Sequence, residues 1–437
     1  MAAPQTTPVQ ATQIKKPSEL PKKTTVVIIG GGIVGLTAAL TLVERGVPVV
    51  VLEKGRFIGE QSSRNLGWIR KTNRAEDDVP LAVESDKLWA GMNERVGAEV
   101  GYRQAGIMFL GKTDTDMAGY ERWLKSIDHL NLGSKLLTPD QIDKMIPYGV
   151  GHWKGALYTP SDGRAEPELA ASAIANAAQK KGAILIENCT ARTLTTTGGK
   201  VSGVVTEYGE IQCDNVLLAG GAWSRRFLGN MGVRFPTLPL FLSVFKTNPL
   251  PHIPIEIAVG APNFSFRKHI DGSFIMMQRG AIDAPLTIDH LKIGTQFLGA
   301  LKHGKDVMHV RLNSFFLEDW KLGRRWSKDD VTPFEKVRTF NPPINQSFNK
   351  DALDNVREAW PIFQDAQIEN EWGGVIDVTP DSNPVIANIA KVPGLTVAIG
   401  FSGHGFGTSP AAGQLAADLV MGTTPLIDPT PYLFERL

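Results

Sequence analysis

The segment Thr24–Glu53 reads TTVVIIGGGIVGLTAALTLVERGVPVVVLE and carries the strongest structural signal in the chain. A β-branched run of strand length leads into Gly30, Gly32 and Gly35, which have the spacing G-x-G-x-x-G and open an apolar run of helical length. A second strand-like run follows and ends at Glu53. The order predicts a strand–helix–strand unit with a glycine turn at its first corner.

Each glycine of this turn has a separate structural role. Gly30 permits the tight turn, Gly32 lets the backbone approach a pyrophosphate, and Gly35 lets the helix pack closely on the strand. The unpaired N–H groups at the start of the helix favour phosphate, and Glu53 can accept hydrogen bonds from a ribose diol. We therefore predict dinucleotide binding, although this segment alone does not distinguish FAD from NAD.

The composition is that of a globular protein with room for more than one domain-sized core. Of the 437 residues, 42% are hydrophobic and 21% charged, and the net charge of +1 offers no electrostatic basis for nucleic-acid binding. Cys189 and Cys213 are too few for a disulfide framework and lack metal-like spacing. We expect a reduced, intracellular setting and no metal site.

Residues 1–23 are rich in Pro, Thr, Gln and Lys and lack the hydrophobic core of a signal peptide. Such a composition predicts a disordered tail. No run in the sequence approaches roughly 18 apolar residues, so we expect no transmembrane helix. The predicted location is cytoplasmic, with peripheral membrane contact left open.

The order of strand-like and helix-like segments predicts an α/β fold with two domains. A Rossmann-like nucleotide-binding domain is assembled from discontinuous segments, namely residues 24–80, 160–235 and 372–437. A substrate domain with a mainly antiparallel sheet comprises residues 81–159 and 236–371, including an insert-like module at about 281–342. The chain starts and ends with glycine loops that open helices, so we expect both ends to meet on one cofactor.

Three stretches together resemble the glycine/D-amino acid oxidase superfamily of FAD enzymes. They are the opening glycine segment, LLAGGAWS at 217–224 and GFSGHGFGTSPAAG at 400–413. Four others resemble the bacterial flavin-dependent L-amino acid deaminases more closely, and they are GEQSSR (59–64), WAGMNERVGAEVGYR (89–103), LAGGAWSRRFLGNMGV (218–233) and MGTTPLIDPTPY (421–432). The resemblance implies that the dinucleotide is FAD.

The resemblance also implies the reaction. An α-amino acid passes a hydride from Cα to flavin N5, and the imino acid hydrolyses to a 2-oxo acid and ammonia. Oxygen or a respiratory-chain quinone then accepts the electrons.

Two departures from the deaminases leave alternatives open. The deaminases carry an N-terminal membrane helix, which residues 1–23 cannot form, and a tryptophan where this chain has His404. The GHG form is like that of sarcosine, glycine and D-amino acid enzymes. An oxidase or dehydrogenase of N-alkyl or cyclic imino acids, of the sarcosine, pipecolate or proline type, therefore stays open. So does a non-catalytic FAD-binding electron-transfer subunit.

We predict that FAD is bound non-covalently. In the sarcosine oxidases that the chain resembles, a cysteine seven residues before the Asp of a T-P-D motif bonds to flavin. Counting back from Asp381 leads to Gly374 here. The predicted FAD contacts come from the glycine loops, the polar segment after Glu53 and the ends of later strands, and they are Gly30, Gly32, Ile33, Val34, Gly35, Glu53, Lys54, Gln61, Ser62, Ser63, Arg64, Ala191, Gly220, Trp223, Gly403, His404, Gly405, Phe406, Gly407 and Thr408.

Arg279 is the predicted clamp for the substrate carboxylate, because the similar strand of the deaminases carries their carboxylate-binding arginine. The alternatives are a surface arginine, or Arg267 as the clamp. His404 is the second predicted catalytic residue, and it either lines the site or forms only local hydrogen bonds. The predicted pocket walls, each of which could equally be ordinary core, are Trp68, Phe245 and Gln278.

The module at about 281–342 has two interpretations. It could present an amphipathic, basic surface to a membrane, as a comparable module does in the deaminases, or it could cap the substrate pocket. The residues that form this predicted surface are Phe297, Leu298, Leu301, Phe315, Phe316, Leu317 and Trp320, beside Lys302, Lys305, Arg324 and Arg325.

Overall fold

The computed structural model describes residues 7–299 and 307–437, and Leu301, Lys302 and Lys305 of the predicted module surface lie outside these ranges. The strands, in chain order, are β1 (Thr12–Gln13), β2 (Lys23–Ile29), β3 (Val49–Leu52), β4 (Trp68–Ile69), β5 (Ile107–Gly111), β6 (Lys135–Leu137), β7 (Gly155–Thr159), β8 (Gly163–Arg164), β9 (Ile184–Glu187), β10 (Ala191–Thr197), β11 (Lys200–Thr206), β12 (Gly209–Leu218), β13 (Leu238–Thr247), β14 (Ala258–Gly260), β15 (Ser265–Lys268), β16 (Phe274–Met277), β17 (Ile282–Pro285), β18 (Met308–Arg311), β19 (Ile368–Val378), β20 (Val385–Asn388) and β21 (Leu395–Ile399).

The helices of the described residues are α1 (Ile33–Glu44), α2 (Val79–Ala90), α3 (Met92–Val96), α4 (Asp114–Ile127), α5 (Pro139–Met145), α6 (Pro167–Lys180), α7 (Ser224–Asn230), α8 (His290–Ile293), α9 (Ser314–Lys321), α10 (Pro333–Lys336), α11 (Gln346–Ala359) and α12 (Gly405–Met421). Within residues 7–299 and 307–437, none of the helices combines the length and the apolar character needed to cross a bilayer.

The first large sheet has the predicted Rossmann-like core. Strands β9, β3, β2, β12 and β21 pair in parallel, and α1 connects β2 to β3. All four residues of β3 are buried, as a parallel strand covered on both faces requires. The α/β prediction is therefore confirmed, and the carboxyl ends of β2, β3 and β12 meet at the glycine turn.

The second large sheet is mainly antiparallel. Strand β13 pairs antiparallel with β16, β17 and β19, and β5 pairs antiparallel with β7. A core rich in aromatic residues fills the space between this sheet and α11, with Phe266, Phe274, Trp360 and Phe363 fully buried. The predicted clamp, Arg279, stands two residues after the end of β16.

Three parts of the chain pack differently from the predicted segments. Residues 7–23 are not a disordered tail, since β1 pairs in parallel with β9 and Ile14 and Leu20 are buried in the core. Helices α2 and α3, predicted in the substrate domain, bury Trp89 and Met92 against the core of the Rossmann-like domain. Strand β19 crosses the predicted boundary at residue 372 because its pairing with β13 runs from Ile368 to Val378.

Candidate active site

The glycine turn between β2 and α1 is tightly packed. Gly30 has a φ of +116°, and a Cβ there would collide with the carbonyl oxygen of Ala219. A Cβ at Gly35 would collide with the carbonyl oxygen of Gly30. Beside the turn, the backbone N–H of Ile33 donates to Oγ of Ser62 at 2.9 Å. The turn thus has the close backbone approach that phosphate binding at a helix N-terminus requires.

Glu53 ties two backbone segments together at the end of β3. Its Oε2 accepts from the N–H of Gly31 at 2.8 Å, and its Oε1 accepts from the N–H of Gly55 at 2.8 Å. Burial raises the pKa of Glu53 to about 7, against the opposing effect of the Lys54 ammonium. A carboxylate oxygen can accept more than one hydrogen bond, so the side chain keeps capacity for a ribose hydroxyl.

A cavity of about 500 Å³ extends from this turn to the start of α12. It brings together most of the predicted site residues, and those that line it are Gly30, Gly32, Ile33, Val34, Glu53, Lys54, Gln61, Ser62, Arg64, Trp68, Ala191, Gly220, Trp223, Arg279, Gly403, His404, Gly405, Phe406 and Gly407. Gly374, which has no side chain to bond a flavin, also lines it.

Five predicted residues do not line this cavity. Phe245 is fully buried in the core of the second sheet. Gln278 uses its Oε1 to accept from the backbone N–H groups of Arg279 and Gly280, so it stabilises the turn after β16. The remaining three, Gly35, Ser63 and Thr408, are each next in the sequence to a residue that does line it.

The cations of the polar segment bind protein carbonyls. Arg64 donates to the carbonyl oxygen of Phe340 at 3.0 Å and to Oδ1 of Asn341 at 2.6 Å. Lys54 donates to the carbonyl oxygen of Arg338 at 2.8 Å and stacks on the ring of Trp223. Both side chains therefore join the cofactor-side loop to the end of the module, which contributes Phe334 and Arg338 to the cavity wall.

His404 stands at the N-cap of α12. Its Nε2 lies 2.9 Å from NH2 of Arg70, and because arginine can only donate, Nε2 is the acceptor and Nδ1 carries the proton. Nδ1 lies 3.8 Å from Oδ2 of Asp78. Burial and the cations Arg74 and Arg70 lower the pKa of His404 well below its ordinary value. The imidazole is therefore neutral and orients Arg70.

Arg279 projects into the cavity beside an aromatic wall. Its guanidinium carbon lies 4.8 Å from the centroid of the Phe109 ring, and NH1 makes a long contact of 3.4 Å with the carbonyl oxygen of Ala261. Trp68 packs edge-to-face on the same ring, with centroids 5.7 Å apart. Burial lowers the pKa of Arg279. The arrangement presents a cation with free donors to a small anion.

Arg267, the alternative clamp, does not line the cavity. It is fully buried, donates to Oε1 of Glu166 at 2.7 Å and also donates to the carbonyl oxygen of Leu66. Its charge is thus already paired, and it fixes the backbone just before Trp68.

Phe109 and Arg70 are site residues that sequence reasoning missed. Phe109 lies inside an apolar strand, β5, and nothing in its sequence distinguishes it from core. Arg70 had a usable signal, because it stands two positions after Trp68 and alternate residues of an extended segment face the same side.

The sequence profile of the DAO family, described as FAD dependent oxidoreductase, matches residues 25–419. The chain belongs to this family. It is accordingly an FAD-dependent oxidoreductase, and the relatives described next support FAD-dependent amino acid oxidation.

The solved structures most like this chain include two deaminases. L-amino acid deaminase from Proteus myxofaciens, in complex with anthranilate, is 31% identical with a TM-score of 0.92, covering 99% of this chain and 98% of that chain. L-amino acid deaminase from Proteus vulgaris is 30% identical with a TM-score of 0.91, covering 96% and 98%. Among sequence relatives, sarcosine oxidase subunit beta from Arthrobacter sp. is 26% identical over 426 residues, which is 95% of this chain and 92% of the relative.

The residues of the cavity fit FAD. Glycines line it where a Cβ would meet backbone, as at Gly30 and at Gly407, whose Cβ would lie 2.8 Å from the carbonyl oxygen of Trp68. The N-termini of α1 and α12 line it, and their first-turn N–H groups have no intrahelical acceptor. Within the described residues, Nε1 of Trp68 and Nδ1 of His404 are buried without a hydrogen-bond partner. Donors and close backbone approaches are both present where the cofactor would lie.

Proposed function

We propose that this oxidoreductase, which acts on CH–NH2 or CH–NH donors, oxidatively deaminates an α-amino acid. The proposed products are an imino acid, which hydrolyses to a 2-oxo acid, and ammonia. When bound, FAD would supply the acceptor for the hydride that leaves the substrate Cα. The protein supplies orientation, desolvation and charge.

The observation that supports this proposal is the position of Arg279 in the cavity and its unpaired charge. Its guanidinium lines the cavity on the ring of Phe109, and among the described residues it has no carboxylate partner. A buried cation without a counterion is costly unless a ligand supplies one. A substrate carboxylate held by the fork of Arg279 fixes Cα against the wall of Trp68 and Phe109, and these rings exclude water from the reacting atoms.

The first turn of α12 has a separate role. Gly405, Phe406 and Gly407 form the N-terminus of α12 and line the cavity, and the N–H groups of this first turn have no acceptor within the helix. They favour negative charge that develops on the cofactor when it is reduced. His404, neutral and bonded to Arg70, positions this turn without giving up a proton.

An oxidase or dehydrogenase of N-alkyl or cyclic imino acids is the second candidate. The sarcosine oxidase relative, which matches 95% of this chain, supports it. In N-alkyl and cyclic imino acids the carboxylate is attached to Cα, as it is in primary amino acids, so Arg279 suits both substrate classes.

We predict that Arg279→Ala raises KM strongly, by about ten-fold or more, because a charge-assisted and bidentate contact is lost. Bound flavin should be retained, since Arg279 projects from the second sheet. Steady-state kinetics with flavin content per chain measures both effects. Arg122→Ala, an exposed arginine on α4, is the matched control and should leave KM unchanged. An unchanged KM in Arg279→Ala would remove the assignment.

For reoxidation we propose oxygen or a quinone as electron acceptor, with the module in contact with a membrane surface. Phe297 and Phe315 pack inward, against Ile293 and Phe241. Other apolar side chains of the module are largely exposed, and they are Leu291, Leu298, Val310, Leu312, Leu317 and Trp320. We call this set the exposed apolar surface of the module. Arg324 is not part of a free basic surface, because it pairs with Asp289 and Asp319.

A further inference from the structure

Arg70 is a second guanidinium in the same cavity. Its NH1 donates to the carbonyl oxygens of Thr72 and Asn73, and its NH2 donates to Nε2 of His404. These contacts fix the side chain, and among the described residues they leave one N–H of NH2 and the N–H of Nε without an acceptor, while Arg70 lines the cavity. None of these partners carries a negative charge.

Arg70 and Arg279 contact the same ring. The guanidinium carbon of Arg70 lies 5.6 Å from the Phe109 centroid, and that of Arg279 lies 4.8 Å from it. The two cations are therefore close enough for one small molecule to contact both.

The buried arginines of the described residues show what is unusual about the half-buried pair Arg70 and Arg279. Arg74 pairs with Asp78, Arg164 with Glu256, Arg226 with Asp319 and Arg267 with Glu166. Among the described residues, neither Arg70 nor Arg279 forms an ion pair with a carboxylate. Proteins bury cations with their counterions, so two unpaired guanidiniums in one cavity indicate two anionic groups in the ligand.

The pKa of Arg70 is lowered, which shows that its charged form is disfavoured at this position. Burial, followed by the neighbouring cations Arg74 and Arg279, lowers it to about 9 against the smaller opposing effects of Asp162 and Asp78. An anion bound between Arg70 and Arg279 relieves both the desolvation and the repulsion.

We propose, on the basis of the amino acid oxidation proposed above, that Arg70 binds a second anionic group and that the preferred substrate is an amino acid with an acidic side chain. Arg279 holds the α-carboxylate, and Arg70 holds the side-chain carboxylate across the ring of Phe109. A neutral side chain of the same size would leave Arg70 desolvated and unpaired. Arg70 is thus a specificity-determining residue.

The test compares isosteric acids and amides on the FAD-loaded enzyme. Anaerobic flavin reduction is followed in a stopped-flow instrument with glutamate against glutamine and aspartate against asparagine, in both L and D forms. Binding of glutarate against valerate, detected by perturbation of the flavin absorbance, adds a readout without turnover. The variants are Arg70→Gln, Arg70→Lys and, as matched exposed control, Arg122→Gln.

We expect the acid to reduce the flavin at least about ten-fold more efficiently than its amide, and glutarate to bind tighter than valerate by a similar factor. Arg70→Gln should bring the acid-to-amide ratio close to one while amides are still oxidised. Arg70→Lys should retain part of the preference for the acid over the amide. Arg122→Gln should retain the full preference of the wild type.

Equal reduction by acid and amide, with equal binding of glutarate and valerate, would overturn the inference about Arg70 and leave the proposed function standing. A change of sulfite affinity at the flavin in Arg70→Gln with an unchanged acid-to-amide ratio would also overturn it, since Arg70 would then act on the cofactor. If no amino acid reduces the flavin, the proposed function fails. Preferential glutarate binding would in that case still support the anion pair, and its absence would overturn both.

Discussion

Glu53 shows how one side chain serves both the fold and the cofactor site. Its two oxygens accept from Gly31 and Gly55, which fixes the glycine turn against the end of β3. The same carboxyl is buried enough that its pKa is raised to about 7. Its protonation state in the apoprotein therefore changes within the physiological pH range.

We predict that the apoprotein binds FAD more tightly as pH rises from 6 to 8. Below its raised pKa, Glu53 is largely protonated, and ribose hydroxyls donate best to the ionised form, which predominates above about pH 7. Titration of the apoprotein with FAD, followed by flavin fluorescence, should show a several-fold decrease in Kd over this range.

Glu53→Gln is the matched variant, since it keeps the size of the side chain and removes the titration. Its Kd for FAD should be higher than that of the wild type at pH 8 and nearly independent of pH. A pH-dependent Kd that persists in Glu53→Gln would show that another group is responsible.

Single residues were predictable where their role is local. The glycines and Glu53 lie within one strand–helix–strand unit, so their spacing in the sequence predicts their relative positions in the structure. Arg64 was predicted among the FAD contacts, but its hydrogen-bond partners Phe340 and Asn341 lie more than 270 positions away. No pattern within the sequence near Arg64 could have indicated a partner so distant.

At the level of elements, the crossing of α1 and α12 brings the two glycine loops together. A Cβ on Gly413 of α12 would collide with Oγ1 of Thr37 on α1. The same Oγ1 donates to the carbonyl oxygen of Ser409 at 2.9 Å. From the other side, Nε1 of Trp89 on α2 donates to the carbonyl oxygen of Gly407 at 2.9 Å, which fixes the first turn of α12.

We predict that Gly413→Ala destabilises the protein by about 1–3 kcal/mol and weakens FAD binding, because the added methyl group separates α12 from α1. Gly119→Ala on α4 is the matched control, since its Cβ would have only the flexible end of Arg122 at 3.8 Å. That variant should be neutral or stabilised by up to about 1 kcal/mol. Thermal unfolding compares the two, and equal melting temperatures would contradict the close-packing account.

Elements with strong periodicity or glycine punctuation, such as β2, α1 and α12, followed from the sequence. Strand β1 did not, because it is two polar residues long and its partner β9 lies about 170 positions further along. Long-range pairing holds residues 7–23 in place, so composition alone gave the wrong expectation of disorder there.

At the scale of the whole molecule, the module is attached to the Rossmann-like domain by buried charges. Arg226 on α7 pairs with Asp319 on α9, and Arg225 pairs with Asp289. The neighbouring guanidiniums of Arg225 and Arg324 hold the pKa of Asp289 well below its usual range, against the opposing effect of burial. The module is therefore held firmly, with its exposed apolar surface directed outwards.

We predict that Leu317→Ser combined with Trp320→Ser reduces binding to phospholipid vesicles several-fold in co-sedimentation, because these exposed apolar side chains would enter the interface. Tyr148→Ser combined with Val150→Ser is the matched control, since both residues are exposed apolar positions outside the module. Equal sedimentation of the wild type, the variant and the control would contradict membrane contact through this surface.

Anaerobic bleaching of the flavin absorbance distinguishes oxidation of primary amino acids from the other candidate reactions. The FAD-loaded enzyme is mixed, without oxygen, with L-, D- and N-methyl amino acids in turn. We predict rapid bleaching by a series of primary amino acids and loss of that bleaching at low substrate concentration in Arg279→Ala. Bleaching by secondary amines alone would contradict the deaminase assignment and favour the imino acid alternative, and bleaching by none of these compounds would contradict amino acid oxidation altogether.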